Sequence, residues 1–321
     1  MKKLFSVVVV TYNQEEFIKE CLTSIYEQSY KPMELIIADD HSTDNTVKVV
    51  ERWGKTYKSR FENFKIIVQP KNIGISANLN SGLKNSTGEY VKCLGGDDLL
   101  LPNAISKISE FLDNTGAEWG CGLIIPFYDT QNKRIHLDSL PLKEYRNIFS
   151  KKAFDQFRFL VRSNFIPAPG TFFRRNILYK YDYFDTDFNR LEDWPTWLKL
   201  TYNGIRVHLL EEPIVCWRKH KHSISTSAMH YGDVAYFENI LLAMEKYIFP
   251  YVQNLDILSK VHIQIKYKYY TKLVQYGGTF KAHKKARLIK LLDPLWWLNF
   301  TRYLRRKITN KDYRIKKTIF D

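Results

Sequence analysis

The segment Phe5-Ser6-Val7-Val8-Val9-Val10 is a nearly continuous run of β-branched residues close to the start of the 321-residue chain. Such a run is typical of a strand that is buried on both faces of a parallel sheet. Further apolar runs occupy residues 35–38, 64–68 and 90–94, and helical patterns follow the first two of the four runs. This alternation predicts an α/β fold, in which helices flank a doubly wound, mostly parallel sheet.

Two helices are predicted between these strands. The first would begin after Asn13, an N-cap residue whose capping-box partner is Glu16, three residues further on. The second would run from Asn45 to about Trp53. The residues that form the apolar face of the first helix are Phe17, Cys21, Leu22 and Ile25.

Polar residues stand where the predicted strands end. In an open parallel sheet, ligands bind beyond the carboxyl ends of the strands. The residues at these ends are Thr11 and Asn13 after the first strand, Asp39 and Asp40 after the second, and Asp97 and Asp98 after the fourth. The sequence therefore predicts a ligand site at this edge of the sheet.

The type of ligand is narrowed by missing motifs. The first strand is not followed by G-x-G-x-x-G, and no Walker A sequence occurs, which disfavours NAD enzymes and P-loop NTPases. Without a glycine-rich loop, a bound diphosphate needs a divalent cation held by carboxylates. Asp97 and Asp98, preceded by Gly95 and Gly96, suit Mg²⁺ or Mn²⁺. The alternative is that they cap a helix starting near residue 102.

A second acidic pair, Glu192-Asp193, precedes Trp194 in an aromatic-rich stretch. One interpretation is a pair of surface acids, which the helix dipole favours in a first turn. The other interpretation is a catalytic base.

The order and spacing of several motifs resemble family 2 glycosyltransferases, which are inverting enzymes of the GT-A fold. The resemblance covers about residues 4–226. The motifs that carry it are Thr11-Tyr12-Asn13, the segment 39–44, Asn72-Ile73-Gly74-Ile75-Ser76 with Asn80 and Gly82, Gly88-Glu89-Tyr90 through Asp97-Asp98 to Pro102, the segment 171–175, Phe184-Asp185, Glu192-Asp193-Trp194, and Arg218-x-His220-x-x-Ser223-x-Ser225.

The resemblance implies a role for each motif. Asp193 would be the general base that deprotonates the acceptor hydroxyl. Asp98, Asp97 and His220 would hold the metal, with Asp98 preferred over Asp97, and Arg218 and His220 would stabilise the leaving diphosphate. The residues implied in donor binding are Thr11, Tyr12, Asn13, Asp39, Asp40, Gly74, Asn80, Asp97 and Arg218, of which Asp40 is the preferred uracil contact. Many relatives have another Asp where Gly95 stands, so the ligand set is smaller here.

The implied activity is transfer of a sugar from a nucleotide sugar, with UDP preferred, to a hydroxyl of a glycan or lipid-linked acceptor in surface-polysaccharide synthesis. One alternative is a catalytically silent nucleotide-sugar-binding protein, which the glycine at position 95 would allow. A second is a sugar-phosphate nucleotidyltransferase. That class carries a glycine-rich basic loop after the first strand, which residues 10–13 lack.

The charge divides the chain into regions. Of the net charge of +15, about +10 lies in residues 281–321, which hold thirteen Lys or Arg against three Asp. We predict a GT-A domain over residues 1–225, with a nucleotide-binding half (1–125) and an acceptor half (126–225), followed by a helical basic region (226–321). No run of apolar residues is long enough to span a bilayer.

The basic region also predicts a partner. Tryptophans within residues 291–300, followed by Arg302, Arg305 and Arg306, suit an interfacial segment on an anionic membrane. The alternative is a basic helix packed on the domain, and nucleic acid is not expected because no binding motif for it is present. Four scattered cysteines without a metal-site or disulfide spacing favour the reducing cytoplasm, with a peripheral position on the inner face of the membrane.

Overall fold

The computed structural model describes residues 2–131, 133–220, 233–295 and 297. Contacts divide the chain into two units, residues 1–229 and 230–321. The sequence-based divisions after residues 125 and 225 stay predictions.

Four parallel strands form the first half of unit 1, as the apolar runs predicted. They lie side by side in the order β3-β2-β1-β4, and every residue of β2 is buried. Their bounds are β1 (Phe5–Thr11), β2 (Met33–Asp39), β3 (Asn63–Val68) and β4 (Tyr90–Gly95). Because all four run in the same direction, their carboxyl ends lie at one edge of the sheet.

Five further strands extend this sheet beyond β4. They are β5 (Leu99–Leu100), β6 (Trp119–Asp129), β7 (Arg134–His136), β8 (Thr171–Arg174) and β9 (His208–Arg218). The order continues β4-β8-β6-β9-β5, and β7 pairs with β6. Strand β8 runs antiparallel to both β4 and β6, whereas β9 runs parallel to β6. The predicted α/β fold is confirmed, with β8 joining the two parallel parts of the sheet.

Eight helices of unit 1 are described around this sheet. Their bounds are α1 (Ile18–Tyr26), α2 (Thr46–Tyr57), α3 (Ile75–Lys84), α4 (Ala104–Thr115), α5 (Lys143–Arg146), α6 (Ala153–Arg162), α7 (Arg175–Lys180) and α8 (Asp193–Tyr202). Helix α3 packs closely on β1 and β2 because of Gly82. A Cβ at Gly82 would lie only 2.5 Å from Cγ1 of Val8, so any larger residue would push the helix away.

The start of the first helix differs from the sequence prediction. Helix α1 begins at Ile18, so the prediction that Asn13 caps it was wrong. Asn13 instead adopts a positive φ of 52°. Its side-chain oxygen accepts a hydrogen bond from the Thr43 amide at 2.8 Å, and its own amide donates to Ser42 Oγ at 2.9 Å. A contact with a distant loop therefore replaced the local cap.

Unit 2 is helical in its described part. Its helices are α9 (Val234–Tyr247), α10 (Ile257–Gln275) and α11 (Phe280–Lys290). Within the described ranges of the chain, none of the helices has both the length and the apolar character needed to cross a bilayer.

Candidate active site

The carboxyl ends of β1, β2 and β4 bring the predicted polar residues together. Thr11, the last residue of β1, lies beside Asp39 in the sheet register, and Val10 lies beside Gly95. The Gly96 amide donates to the Val10 carbonyl at 2.9 Å, so the segment after β4 stays against β1. This part of the sequence prediction depended only on the strands being parallel, and β1, β2 and β4 do run in the same direction.

The end of β1 and the loop after it carry two buried polar atoms that have no hydrogen-bond partner, Thr11 Oγ1 and Gln14 Oε1. Both lie against Gly96, where a Cβ would be 2.5 Å from Gln14 Oε1 and 3.1 Å from Thr11 Cβ. Tyr12, between them in sequence, is exposed. Buried polar atoms without partners are rare in folded proteins, and they are common where a ligand completes the site.

Asp39 and Asp40 hold the loops that surround this edge. Asp39 accepts from the Ser42 amide at 2.8 Å and from Ser42 Oγ. Asp40 accepts from the amides of Ile73 and Gly74, at 2.7 and 3.0 Å, and so ties the end of β2 to the turn before α3. Gly74 has a φ of +84°, which suits glycine in this turn. Direct contacts of these two carboxylates with a nucleotide stay predictions.

Asn80 organises a different segment. Its side chain donates to the Phe184 carbonyl at 2.6 Å and accepts from the Phe184 amide at 3.0 Å. On the same helix, Ser76 Oγ donates to the Phe188 carbonyl at 2.6 Å. Helix α3 thereby fixes the chain that leads towards Asp193. Asn80 is buried, and its role as a donor contact stays a prediction.

The Asp97–Asp98 turn follows β4 directly and does not cap a helix. Asp98 is buried, and its Oδ1 accepts from the Arg218 amide at 2.9 Å. Burial, followed by the charge of Asp97, raises the pKa of Asp98 well above its ordinary value. Asp97 Oδ2 lies 2.9 Å from His220 Nε2, which joins two residues that are 123 positions apart in the chain.

Arg218 holds the Asp97–Asp98 turn in place. Its side chain is 3% exposed and lies between the rings of Phe17 and Phe127. The guanidinium donates through Nε to the Asp97 carbonyl at 2.9 Å. Its other two nitrogens pair with Glu20 on α1 and Asp129 on β6. Protein groups thus occupy the guanidinium here, and its contact with a leaving diphosphate stays a prediction.

Arg134 completes a network of four charges around the turn. It pairs with Glu20 at 2.9 Å and with Asp129 at 2.8 Å, the two carboxylates that also bind Arg218. Arg134 and Arg218 together hold the pKa of each of these two carboxylates below its ordinary value, although burial alone would raise it. Sequence reasoning missed Glu20, Asp129 and Arg134, because no local pattern distinguishes them from surface charges.

Asp97 and His220 are spaced as two ligands of one metal ion would be. Neighbouring ligands in an octahedron with bonds of about 2.1 Å lie about 3 Å apart. The Asp97 Oδ2 to His220 Nε2 distance of 2.9 Å fits this spacing. In the part of the chain that the structure describes, no three or more His, Cys, Asp or Glu side chains are grouped for a metal. Phosphate and water oxygens would have to complete the shell. The motif residues Ser223 and Ser225 lie outside the described residues.

The second acidic pair stands at the start of α8. Asp193 is the first residue of this helix, and its Oδ2 accepts from Asn164 Nδ2 at 2.8 Å. Burial raises the pKa of Glu192 to about 8, and the adjacent charge of Asp193 adds to the rise. Burial also raises the pKa of Asp193, against the hydrogen bonds that it accepts from Trp194 and Asn164. A carboxyl with a raised pKa is better suited to accept a proton than an ordinary surface acid is.

Comparison with known proteins relates this arrangement to one family. The sequence profile of "Glycosyl transferase family 2" matches residues 6–182, which is more than half of the chain. An uncharacterized glycosyltransferase of Haemophilus influenzae is 26% identical over 335 residues, covering 95% of this chain and 97% of the relative. The putative glycosyltransferase EpsE of Bacillus subtilis is 38% identical over 108 residues, or 34% of this chain and 38% of EpsE.

Solved structures show the same fold at low sequence identity. S. aureus TarS 1-349 in complex with UDP-GlcNAc has a TM-score of 0.61 at 20% identity, covering 92% of this chain and 82% of TarS. The mannosyltransferase PcManGT of Pyrobaculum calidifontis, in complex with GDP-Man and Mn²⁺, has a TM-score of 0.57 at 18% identity, covering 100% of this chain and 84% of that protein. With the family profile and the relatives, the fold leads to one conclusion: the chain belongs to glycosyl transferase family 2 and is a glycosyltransferase.

Proposed function

We propose that this glycosyltransferase moves a sugar from a UDP-sugar to a hydroxyl of a glycan or lipid-linked acceptor, with inversion at the anomeric carbon. The observation that carries the proposal is the Asp97–His220 pair at 2.9 Å, next to Gly95 and Gly96 at the edge where β1 and β2 also end. A nucleotide held at that edge would have its diphosphate beside this pair.

Asp98, Asp97 and His220 would hold a divalent cation, Mn²⁺ or Mg²⁺. When bound, such an ion neutralises the charge that develops on a departing diphosphate. The complex of PcManGT, which has the same fold, with GDP-Man and Mn²⁺ supports the use of a metal. The chain's own contribution is the rigidity of the turn, which Arg218 holds through the Asp97 carbonyl and Asp98 Oδ1.

Asp193 would act as the base. Its carboxylate takes the proton of the acceptor hydroxyl while the acceptor oxygen forms a bond to the anomeric carbon. The bond from that carbon to the diphosphate oxygen breaks, and the nucleoside diphosphate leaves with the electron pair on the opposite face. Asn164 orients the carboxylate by donating to Oδ2.

The choice of UDP rests on two kinds of support. Asp40, at the end of β2, is a carboxylate that could accept from the uracil N–H, and TarS binds UDP-GlcNAc. We place the reaction in the cytoplasm, because all four cysteines are free, as reducing conditions favour. The basic C-terminal region would hold the chain at the inner face of the membrane.

Calorimetric titration of the purified chain tests the donor site. UDP, GDP, dTDP, CMP and NAD are each titrated in the presence of Mn²⁺ and, in parallel, of EDTA. We expect UDP to bind with Mn²⁺ and to lose at least about tenfold in affinity with EDTA. Tighter binding of GDP would overturn the UDP assignment, and equal affinity with and without metal would overturn the metal assignment.

A transfer assay then separates catalysis from binding. UDP-sugar and acceptor glycans are supplied with Mn²⁺, and release of UDP is measured. UDP-sugar binding without any turnover, across a panel of acceptors, would favour the silent binding protein over the proposed reaction.

A further inference from the structure

Helices α10 and α11 of unit 2 form an antiparallel hairpin. His262 Nδ1 lies 2.7 Å from Asp293 Oδ2, and Tyr269 OH lies 3.2 Å from His283 Nδ1. The early part of α10 therefore faces the residues that follow α11. The start of α10 and the end of α11 lie together at the open end of the hairpin.

Large aliphatic side chains are concentrated at this open end. Six large aliphatic residues are exposed in the described part of the chain, and five of them lie here. Three are more than two-thirds exposed: Ile257 at 76%, Leu292 at 72% and Leu288 at 69%. We define the hairpin-end surface by these five aliphatic residues and the exposed Trp297, namely Ile257, Leu258, Leu288, Leu291, Leu292 and Trp297. Single exposed aliphatic residues are ordinary, but a cluster of this kind indicates a contact surface.

The spacing of the leucines adds to this interpretation. Leu291 and Leu292 follow Leu288 at three and four positions along the chain, which places the three side chains on one face of a helical turn. Trp297 is fixed beside them because its indole N–H donates to the Leu291 carbonyl at 2.8 Å. A tryptophan at the margin of an apolar patch is typical of segments that lie at a bilayer–water interface.

The charge of the hairpin indicates what covers this surface. Residues 257–297 contain nine Lys or Arg and one Asp. A second copy of the chain would bring the same positive charge, so two such surfaces would repel each other. An anionic bilayer supplies the opposite charge and an apolar interior in one partner.

We propose that the hairpin-end surface docks unit 2 on a membrane that contains anionic lipids, with its leucines and isoleucine entering the headgroup boundary. This surface overlaps the segment 291–300 that the sequence indicated, through Leu291, Leu292 and Trp297, and adds Ile257 and Leu258 of α10 and Leu288 of α11. The proposal does not depend on the transfer reaction, because it concerns lipid binding by the resting chain.

Vesicle co-sedimentation of the full chain tests the proposal. Vesicles of phosphatidylcholine are compared with vesicles containing about one-third phosphatidylglycerol, at 0.1 M and 0.5 M NaCl. We expect binding to the anionic vesicles that weakens at high salt and falls at least about tenfold in the double variant Leu288→Ser/Leu292→Ser. The control Val68→Ser, whose exposed aliphatic side chain lies in unit 1, should bind as the wild type does.

Three outcomes would overturn the proposal. The first is a double variant that binds as tightly as the wild type, which would move the contact to the tail. The second is binding that does not depend on anionic lipid. The third is self-association of the wild type in sedimentation velocity that the double variant loses, since this would make a second copy the partner. Thermal unfolding by circular dichroism checks that the double variant is folded, and Leu258→Ser provides a second variant on α10.

Discussion

The Asp97–Asp98 turn and the Glu192–Asp193 helix start are both acidic pairs in which burial raises a carboxyl pKa, but they are held in different ways. The first is fixed by Arg218, which belongs to a network of four charges and reaches both aspartates. The Asp193 carboxylate accepts one hydrogen bond from Asn164 and one from the adjacent amide of Trp194. A turn held by a network of charges suits steady binding of a cation, whereas a carboxylate held by hydrogen bonds from neutral donors suits proton transfer.

The largest effect is expected at the second pair. Asp193→Asn removes the proposed base while keeping the size of the side chain, so transfer should fall about a thousandfold. Calorimetry should show UDP binding within about twofold of the wild type, because the nucleotide edge lies on other elements. Release of UDP in the presence of acceptor measures the transfer.

The matched control for this change is Glu110→Gln, which neutralises an exposed acid on α4. Its transfer rate should equal that of the wild type. Wild-type transfer by Asp193→Asn itself would show that another group accepts the proton.

At the Asp97–Asp98 turn, the expected effect of a substitution is a loss of stability of the folded protein. Arg218→Met leaves Glu20 and Asp129 without this partner and removes the donor to the Asp97 carbonyl. We expect the free energy of unfolding to fall by about 2 kcal/mol, less than for a fully buried ion pair, because both carboxylates are partly exposed and keep Arg134 as a partner. Urea unfolding measures this loss, and metal-dependent UDP binding should weaken with it.

A control variant and a conservative variant determine whether Arg218 acts by positioning the turn. Lys107→Met breaks the surface pair with Glu212 and should cost at most about 1 kcal/mol. Arg218→Lys keeps the charge but loses the planar fork, so stability should fall to an intermediate value. If Arg218→Lys lowered UDP affinity with unchanged stability, Arg218 would instead bind the diphosphate directly.

The raised pKa of Glu192 predicts a pH dependence of stability. The folded protein holds this proton up to a pKa of about 8, against 4.5 for an ordinary glutamate. In this window the folded state binds more protons than the unfolded state, so stability falls as pH rises from 5 to 8. The charged or titratable neighbours are Asp193 on α8 and Cys93 on β4.

Glu192→Gln should remove this dependence. We expect the wild type to lose about 3.5 kcal/mol more than the variant between pH 5 and pH 8, as measured by urea unfolding at four pH values. Glu110→Gln should keep the wild-type slope. Parallel curves for wild type and Glu192→Gln would show that Glu192 ionises normally in the folded chain.

The elements that the sequence predicted are those with local causes. The β-branched run of β1 and the apolar run of β2 form strands that are buried on both faces. A continuous run of apolar residues in the sequence indicates such burial directly. Because parallel strands end at the same edge of a sheet, the positions of Thr11, Asp39 and Asp97 at one edge follow from the parallel direction of the strands. The family resemblance added roles to these positions.

The features of the candidate site that the sequence did not predict depend on contacts between distant segments of the chain. Arg218 meets Glu20 across 198 positions, and Asn80 meets Phe184 across 104. Which charges meet is decided by the insertion of β8 between β4 and β6, and neither period nor spacing reveals this order. The Asn13 cap failed for the same reason, since its side chain bonds to Thr43 on another loop.

The smallest effect, and the sharpest test of the hydrogen-bonded Asp193, is expected from a change at Asn164. Its amide donates to Asp193 Oδ2 at 2.8 Å, which favours the charged carboxylate and orients it. Asn164→Ala should lower kcat about tenfold, as loss of a hydrogen bond to a charged group does, with little change in the KM for the donor. The pH at which kcat reaches half its maximum should rise, because the pKa of Asp193 is no longer lowered by this donor.

If Asn164 had a purely structural role, Asn164→Ala would lower the free energy of unfolding and leave that pH unchanged. Ser163→Ala, at the adjacent exposed position, should leave both kcat and the pH profile as in the wild type.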